Sequence, residues 1–137
     1  MTTTTTSPAT TEAGILAFAK RFVAAIQAGD ADAVRACYAP DAKIWHNIDN
    51  VEQSVDQNMR SLDWFVRKLP DRVYTVQRLE ALKDGFLQQH VLSATLPDGT
   101  AWKMSACVVV RMEGGRITRL DEYIDSAEAG ALRGLGR

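Results

Sequence analysis

Glu122 is the ionisable residue whose neighbours ask the most of it. It lies in the run Leu120-Asp121-Glu122-Tyr123-Ile124. In an extended segment alternate side chains share a face, so Glu122 sits between two apolar residues on a face that should point inward. An unpaired buried charge is costly, so this carboxylate must be paired, protonated, or lining a cavity that admits a ligand. Two roles compete: a pocket acid/base whose pKa is raised by apolar surroundings, or a structural carboxylate paired with an arginine such as Arg119 or Arg60. A raised pKa would suit proton transfer near neutral pH. His46 is the complementary base, because imidazole titrates near neutrality and Ile44 and Ile48 share its face. A bulge would instead turn Trp45 and Asn47 inward, leaving His46 a hydrogen-bonded rim or core histidine. His90 alternates with Phe86, Gln88 and Leu92, and either lines the same pocket or faces the outer side of a sheet. Two imidazoles and a carboxylate could in principle hold a metal. Nothing in the spacing of His46, His90 and Glu122 requires them to converge, and no metal is expected. Trp45, Trp64, Trp102 and Tyr38 could stack on a flat ligand, with core packing as the competing role.

The elements that must position these residues follow from periodicity. Residues 1–11 are rich in threonine and carry no apolar pattern, which predicts a disordered tail ahead of one domain over 12–137. Ile15, Phe18, Ala19, Phe22, Val23 and Ile26 recur at helical spacing, and Gly29 supplies a stop. Asp30 can cap a second helix with Val34, Cys37 and Tyr38 inward, ending before Pro40. A short strand is expected over 42–48. A long helix is expected to start at Asn50, on the stripe Val51, Val55, Met59, Leu62, Val66 and Leu69, and to stop at Pro70. Segments 72–82, 86–96 and 100–112 are separated by Lys83-Asp84-Gly85 and Pro97-Asp98-Gly99 and read as hairpin-linked strands. In the third, Trp102, Met104, Ala106, Val108 and Val110 share one face. Glu113-Gly114-Gly115 turns into the strand bearing Glu122, and Asp125 or Ser126 caps a last short helix. The order helix, helix, strand, helix, then a four-stranded meander implies an α+β fold, with helices gathered on one face of a curved antiparallel sheet.

Composition narrows the classes. The 137 residues suffice for one globular domain with a sizeable core. Sixteen Lys and Arg stand against seventeen Asp and Glu, without the basic run that tracks nucleic acid or an anionic membrane, so neither partner is expected. The longest apolar run is too short to span a bilayer and the N-terminus lacks the features of a signal peptide, which makes a cytoplasmic protein the expectation. Cys37 and Cys107 show no metal or disulfide spacing and are expected to be buried thiols.

The helix around Phe22 to Ile26 leading into Ala28-Gly29-Asp30, the run Tyr38-Ala39-Pro40-Asp41-Ala42, and the ending Gly115-Arg116-Ile117-Thr118 through Asp121-Glu122-Tyr123-Ile124-Asp125 resemble the SnoaL-like and ketosteroid-isomerase-like proteins of the nuclear transport factor 2 superfamily. The resemblance covers roughly residues 13–131. It implies a cone-shaped curved sheet wrapped around helices (nuclear transport factor 2-like, cystatin-like), a conical pocket for a small hydrophobic ligand, and dimerisation through the exposed side of the sheet. Because the superfamily hosts isomerases, cyclases, dehydratases, epoxide hydrolases and binders, it implies no single reaction. In ketosteroid isomerases the general base falls at His46, while the two oxyanion donors fall at Phe22 and Val108, which cannot donate. In limonene epoxide hydrolase the water-binding pair falls at Trp45 and Asn47 and the activating aspartate at Glu122. Its arginine and second aspartate fall at Gln89 and Val91. In SnoaL-type cyclases the acid/base aspartate again matches Glu122 and a pocket histidine falls at Val108. The resulting expectation is a cofactor-independent enzyme with Glu122 and His46 as catalytic residues. Trp45, Asn47, Gln89, His90, Trp102, Tyr38 and Val108 would contact the substrate. The alternative is a non-catalytic ligand-binding or dimerisation module of the same fold.

Overall fold

The computed structural model describes residues 11–136; the predicted tail therefore lies outside the described residues except for Thr11. That residue belongs to the domain: its side chain accepts a hydrogen bond from the Gly14 amide at 3.0 Å and caps α1 (Glu12–Ala28). The helix stops where glycine predicts. Gly29 adopts φ +69°, its amide bonds Ile26 O, and the Asp30 amide reaches back to Ala25 O, the paired bonds of a Schellman ending. A Cβ at Gly29 would also lie 2.9 Å from a Val66 methyl. Asp30 caps α2 (Ala31–Cys37) through the Ala33 amide.

The chain then enters β1 (Tyr38–His46), four residues earlier than expected, with Tyr38 as its first residue. The helix expected from Asn50 begins later. Asn50 sits in a turn at φ +55°, and Val51–Gln53 form a short strand, β2, antiparallel to β1. Only then does α3 (Val55–Lys68) start, because Ser54 and Gln57 form a reciprocal capping box. Val51, placed in the helical stripe by spacing, is 48% exposed.

The meander comprises β3 (Val73–Leu82), β4 (Gly85–Thr95), β5 (Ala101–Glu113) and β6 (Arg116–Ile124), followed by α4 (Ser126–Gly130). β1 lies parallel beside β6, giving one mixed, unclosed sheet in the order β2-β1-β6-β5-β4-β3. Register shifts at Val76/Arg78, Arg111/Met112 and Tyr38/Lys43 bend the strands, as extra residues in a ladder do. The sheet is curved, and the helices gather on one face of it. Ile15, Phe18 and Phe22 of α1 pack with Met59 and Leu62 of α3 on Ile44, Phe86, Val110 and Ile117. A second cluster of Leu69, Leu92, Trp102, Met104 and Ala129 closes the other end beneath α4. Cys37 and Cys107 are free but half-buried, not fully buried as expected. Among the described residues, no helix is long and apolar enough to cross a membrane.

Candidate active site

Strand register builds the site. Gln88 of β4 pairs with Val108 of β5, Val108 with Glu122 of β6, and Glu122 with His46 of β1. The four residues therefore form one transverse row across the concave face, because paired positions in neighbouring strands point the same way. Above the row lies a cavity of ≈ 120 Å³, well beyond the ~10–15 Å³ that one water needs. Phe22, Val34, Leu62 and Phe65 are among its apolar walls, and Tyr38, Tyr74, Gln88, His46, His90 and Glu122 among its polar groups.

The ion pair of the row is short. His46 Nε2 lies 2.9 Å from Glu122 Oε1, with 17% and 22% of the two side chains exposed. Burial pushes the Glu122 carboxyl up, but the His46 hydrogen bond and the positive charge of His46 outweigh it, with His90 adding to them only when its ring is protonated, so its pKa falls below the usual carboxylate value. This corrects the raised pKa expected from apolar neighbours alone. Burial pulls the His46 imidazole down, while the hydrogen bond and charge of Glu122, with Asp49, win and raise it. The favoured state is thus an imidazolium on a carboxylate. Neither arginine considered as a partner reaches Glu122: Arg119 bonds Glu52 and Asp121, and Arg60 is exposed.

His90 reaches the cavity from β4 and is 6% exposed. Its Nε2 is 4.0 Å from Glu122 Oε2, its Nδ1 is 3.1 Å from Gln88 Nε2, and its ring packs against Tyr74 at 5.5 Å. Burial lowers its pKa despite Glu122, which leaves it neutral. Tyr38 and Tyr74 are both pushed well up, by burial first and then by the Glu122 charge, so both phenols keep their protons and remain donors. Among the described residues, no group of three or more His, Cys, Asp or Glu is arranged to hold a metal ion.

Several expected substrate contacts lie elsewhere. Trp45 takes the opposite parity to His46, stacks edge-on against Tyr123 at 5.2 Å and donates to Asn50 Oδ1. Asn47 is exposed and prolongs the β1–β6 pairing: its Nδ2 donates to Ile124 O and its Oδ1 accepts from the Ile124 amide. Ile48, expected inward, is 45% exposed. Gln89 points away from the cavity and its neighbour Gln88 points in. Trp102 is core beneath α4, where its Nε1 donates to Glu128 O at 2.8 Å. Tyr38 and Val108 do line the cavity. Tyr74, Asn58 and Ser61 also line it and were not foreseen. The spacing of Asn58, Ser61 and Phe65 along α3 was the available signal for two of them.

A family model described as a SnoaL-like domain matches residues 19–120. The chain belongs to the SnoaL-like family. Solved structures share the fold, which is nuclear transport factor 2-like. AclR from Streptomyces galilaeus, a proposed hydroxylase, superposes with a TM-score of 0.80 at 17% identity, over 93% of this chain and 89% of its own. IdmH from Streptomyces antibioticus, a proposed polyketide cyclase, gives 0.76 at 19% identity, over 94% and 99%. An LEH-like epoxide hydrolase of M. tuberculosis gives 0.69 at 21% identity, over 88% and 91%. No curated protein matches the sequence significantly. At these identities the likeness defines a SnoaL-like fold and leaves the reaction to the site.

Proposed function

We propose that this SnoaL-like protein binds a small hydrophobic molecule and moves a proton on it, in an isomerase-, cyclase-, dehydratase- or epoxide-hydrolase-type reaction without a cofactor. The observation that carries the proposal is the 2.9 Å His46–Glu122 pair set in the wall of an apolar cavity. Glu122 uses one oxygen to hold His46. Its other oxygen, facing His90 at 4.0 Å, is the base that takes a proton from the bound molecule. The His46 imidazolium returns a proton, so the pair exchanges acid and base roles within one turnover. The apolar wall excludes water and strengthens these interactions.

The generic probe is 5-nitrobenzisoxazole, which opens to a coloured cyanophenolate when a base removes its C3 proton. The wild type should accelerate this opening, and Glu122→Gln should lose the acceleration by about 10²-fold or more, the usual scale of acid–base catalysis. Equal rates in the two proteins would remove Glu122 as a base and favour a non-catalytic binding module. Phe22 and Val108 line the cavity where ketosteroid isomerases carry oxyanion donors, and this replacement is what favours that second reading.

We also propose a cytoplasmic homodimer formed through the outer face of the sheet, where Val109 and Tyr123 stand 36% and 49% exposed. Tyr123→Lys should convert a dimer to a monomer in sedimentation. A wild-type monomer at every concentration would refute this.

A further inference from the structure

Gln88 carries a demand that the protein does not meet. It is 3% exposed and lines the cavity, yet its Oε1 has no hydrogen-bond partner. Leaving a buried acceptor unpaired costs on the order of 1–3 kcal/mol, so such an atom calls for an explanation by an occupant. The other half of the amide is engaged: Nε2 lies 3.1 Å from His90 Nδ1. An amide nitrogen carries hydrogens and no lone pair to offer, so Nε2 donates and Nδ1 accepts. That fixes the tautomer. A neutral imidazole with Nδ1 as acceptor carries its proton on Nε2, the nitrogen that stands 4.0 Å from Glu122 Oε2. This arrangement is self-consistent, because the neutral form of His90 is the one its burial favours and the Nε2 proton then faces the carboxylate. Turning the amide over would break that orientation, placing the His90 proton on Nδ1 and a lone pair towards the carboxylate.

The consequence concerns the ligand. One Nε2 hydrogen is given to His90, and the amide atom left with no partner at all is the acceptor Oε1, which repels a carbonyl oxygen while welcoming a hydroxyl. The opposite end of the same row holds Glu122 and His46, with Val108 between. Two strand spacings of ~4.8 Å separate the Gln88 backbone from the Glu122 backbone, ~9.6 Å in all, a span that a small ring bearing a hydroxyl can bridge with a hydrogen bond at one end and a contact at the other. We infer that Gln88 is the specificity-determining residue of the cavity, binding the hydroxyl of a small, otherwise apolar ring so that the far side of the ring meets Glu122. His90 acts as a positioning residue that holds the amide in its orientation. This inference rests on the ligand-binding part of the proposed function, and it does not depend on whether Glu122 performs chemistry. A site built to pair a hydroxyl discriminates strongly against analogues lacking one, since the analogue leaves the buried group unpaired.

The test compares cyclohexanol with cyclohexanone, nearly identical in shape and opposite in donor capacity, by NMR titration of the full chain. The wild type should bind the alcohol about tenfold more tightly. Gln88→Met, which keeps the length of the side chain and removes its polarity, should weaken the alcohol to within twofold of the ketone and leave the ketone unchanged. Equal affinities in the wild type, or a preference that survives in Gln88→Met, would overturn the inference. Long-range proton–nitrogen spectra of the wild type supply a reading that needs no variant: His90 should show the Nε2-protonated tautomer, and an Nδ1-protonated ring would refute the assigned amide orientation. Loss of the alcohol preference alongside Glu122-dependent opening of 5-nitrobenzisoxazole refutes this inference alone. The preference without that Glu122 dependence refutes the proton-transfer reading alone.

Discussion

Two neighbouring rows of the same sheet show how the fold separates stability from chemistry. One row runs Ile44, Leu120, Val110, Phe86 across β1, β6, β5 and β4; the next, two residues further along each strand or back along its antiparallel partner, runs His46, Glu122, Val108, Gln88. Both rows share one parity and one face, and their backbones lie only ~6.6 Å apart, the rise of two strand residues. The first is sealed, with exposures from 0% to 5%. In the second, His46 and Glu122 keep about a fifth of their side chains open. Ile15, Phe18 and Phe22 of α1 join the sealed row in one apolar cluster that also takes in Val108; Ile44 and Leu120 reach the edge of the cavity, and the polar side chains of the second row face into it. A sheet can therefore host ionisable groups beside its tightest core, provided that the covering helices leave a cavity over them.

That comparison breaks most directly in the sealed row. Phe86 is fully buried and its ring meets that of Phe18 at 6.5 Å between centroids. Phe86→Ala should destabilise the domain by about 3–5 kcal/mol, the range for deleting a large core aromatic, measured as a shifted midpoint in denaturant. A loss below about 1 kcal/mol would mean that the row is not the packed element described. Gln88 occupies the adjacent inward position of the same strand, and Gln88→Met should change stability far less while changing ligand preference.

The rows also mark what could be read from sequence. Parity alone placed Glu122 with Leu120 and Ile124, and Trp102 through Val110 on one buried face, because alternation is a local property of each strand. It also grouped Gln88 with Phe86 and His90 but left open whether that face points inward; the structure turns it to the cavity. The choice of Gln89 came instead from family positions, where a one-residue offset reverses the face of every side chain. The start of α3 was missed because Val51 fits the helical stripe, although Ser54 and Gln57 spelled a capping box. The Glu122 partner was harder to reach. Its pairing with His46 depends on β1 lying parallel beside β6, a contact between segments far apart in the chain that no local pattern encodes. Without that partner, apolar neighbours alone suggest a raised carboxyl pKa; with it, the direction reverses.

The smallest expected effect tests that reversal. The ordinary pKa of Glu122 is 4.5 and its folded value is lower, so its contribution to stability is present above 4.5 and is lost as pH falls through the folded value. For His46 the ordinary value is 6.5 and the folded value higher, so its contribution is fully present below 6.5 and is lost as pH rises through the folded value. The pair should therefore contribute most between pH 4.5 and 6.5. His90 acts the other way: its folded pKa lies below 6.5, so protonating it as pH falls favours the unfolded chain and trims the acidic side of that window. Glu122→Gln retains the shape of the side chain and removes its charge. The stability difference between wild type and Glu122→Gln, followed by denaturant midpoint across pH, should form a shallow bell on the order of 1 kcal/mol high with its maximum inside the window. A difference that grows steadily towards alkaline pH would contradict it, because it would require Glu122 to stabilise the fold with His46 neutral. The carboxylate would then owe its lowered pKa to some group other than the imidazole 2.9 Å away, and the two ends of the polar row would no longer act as one site.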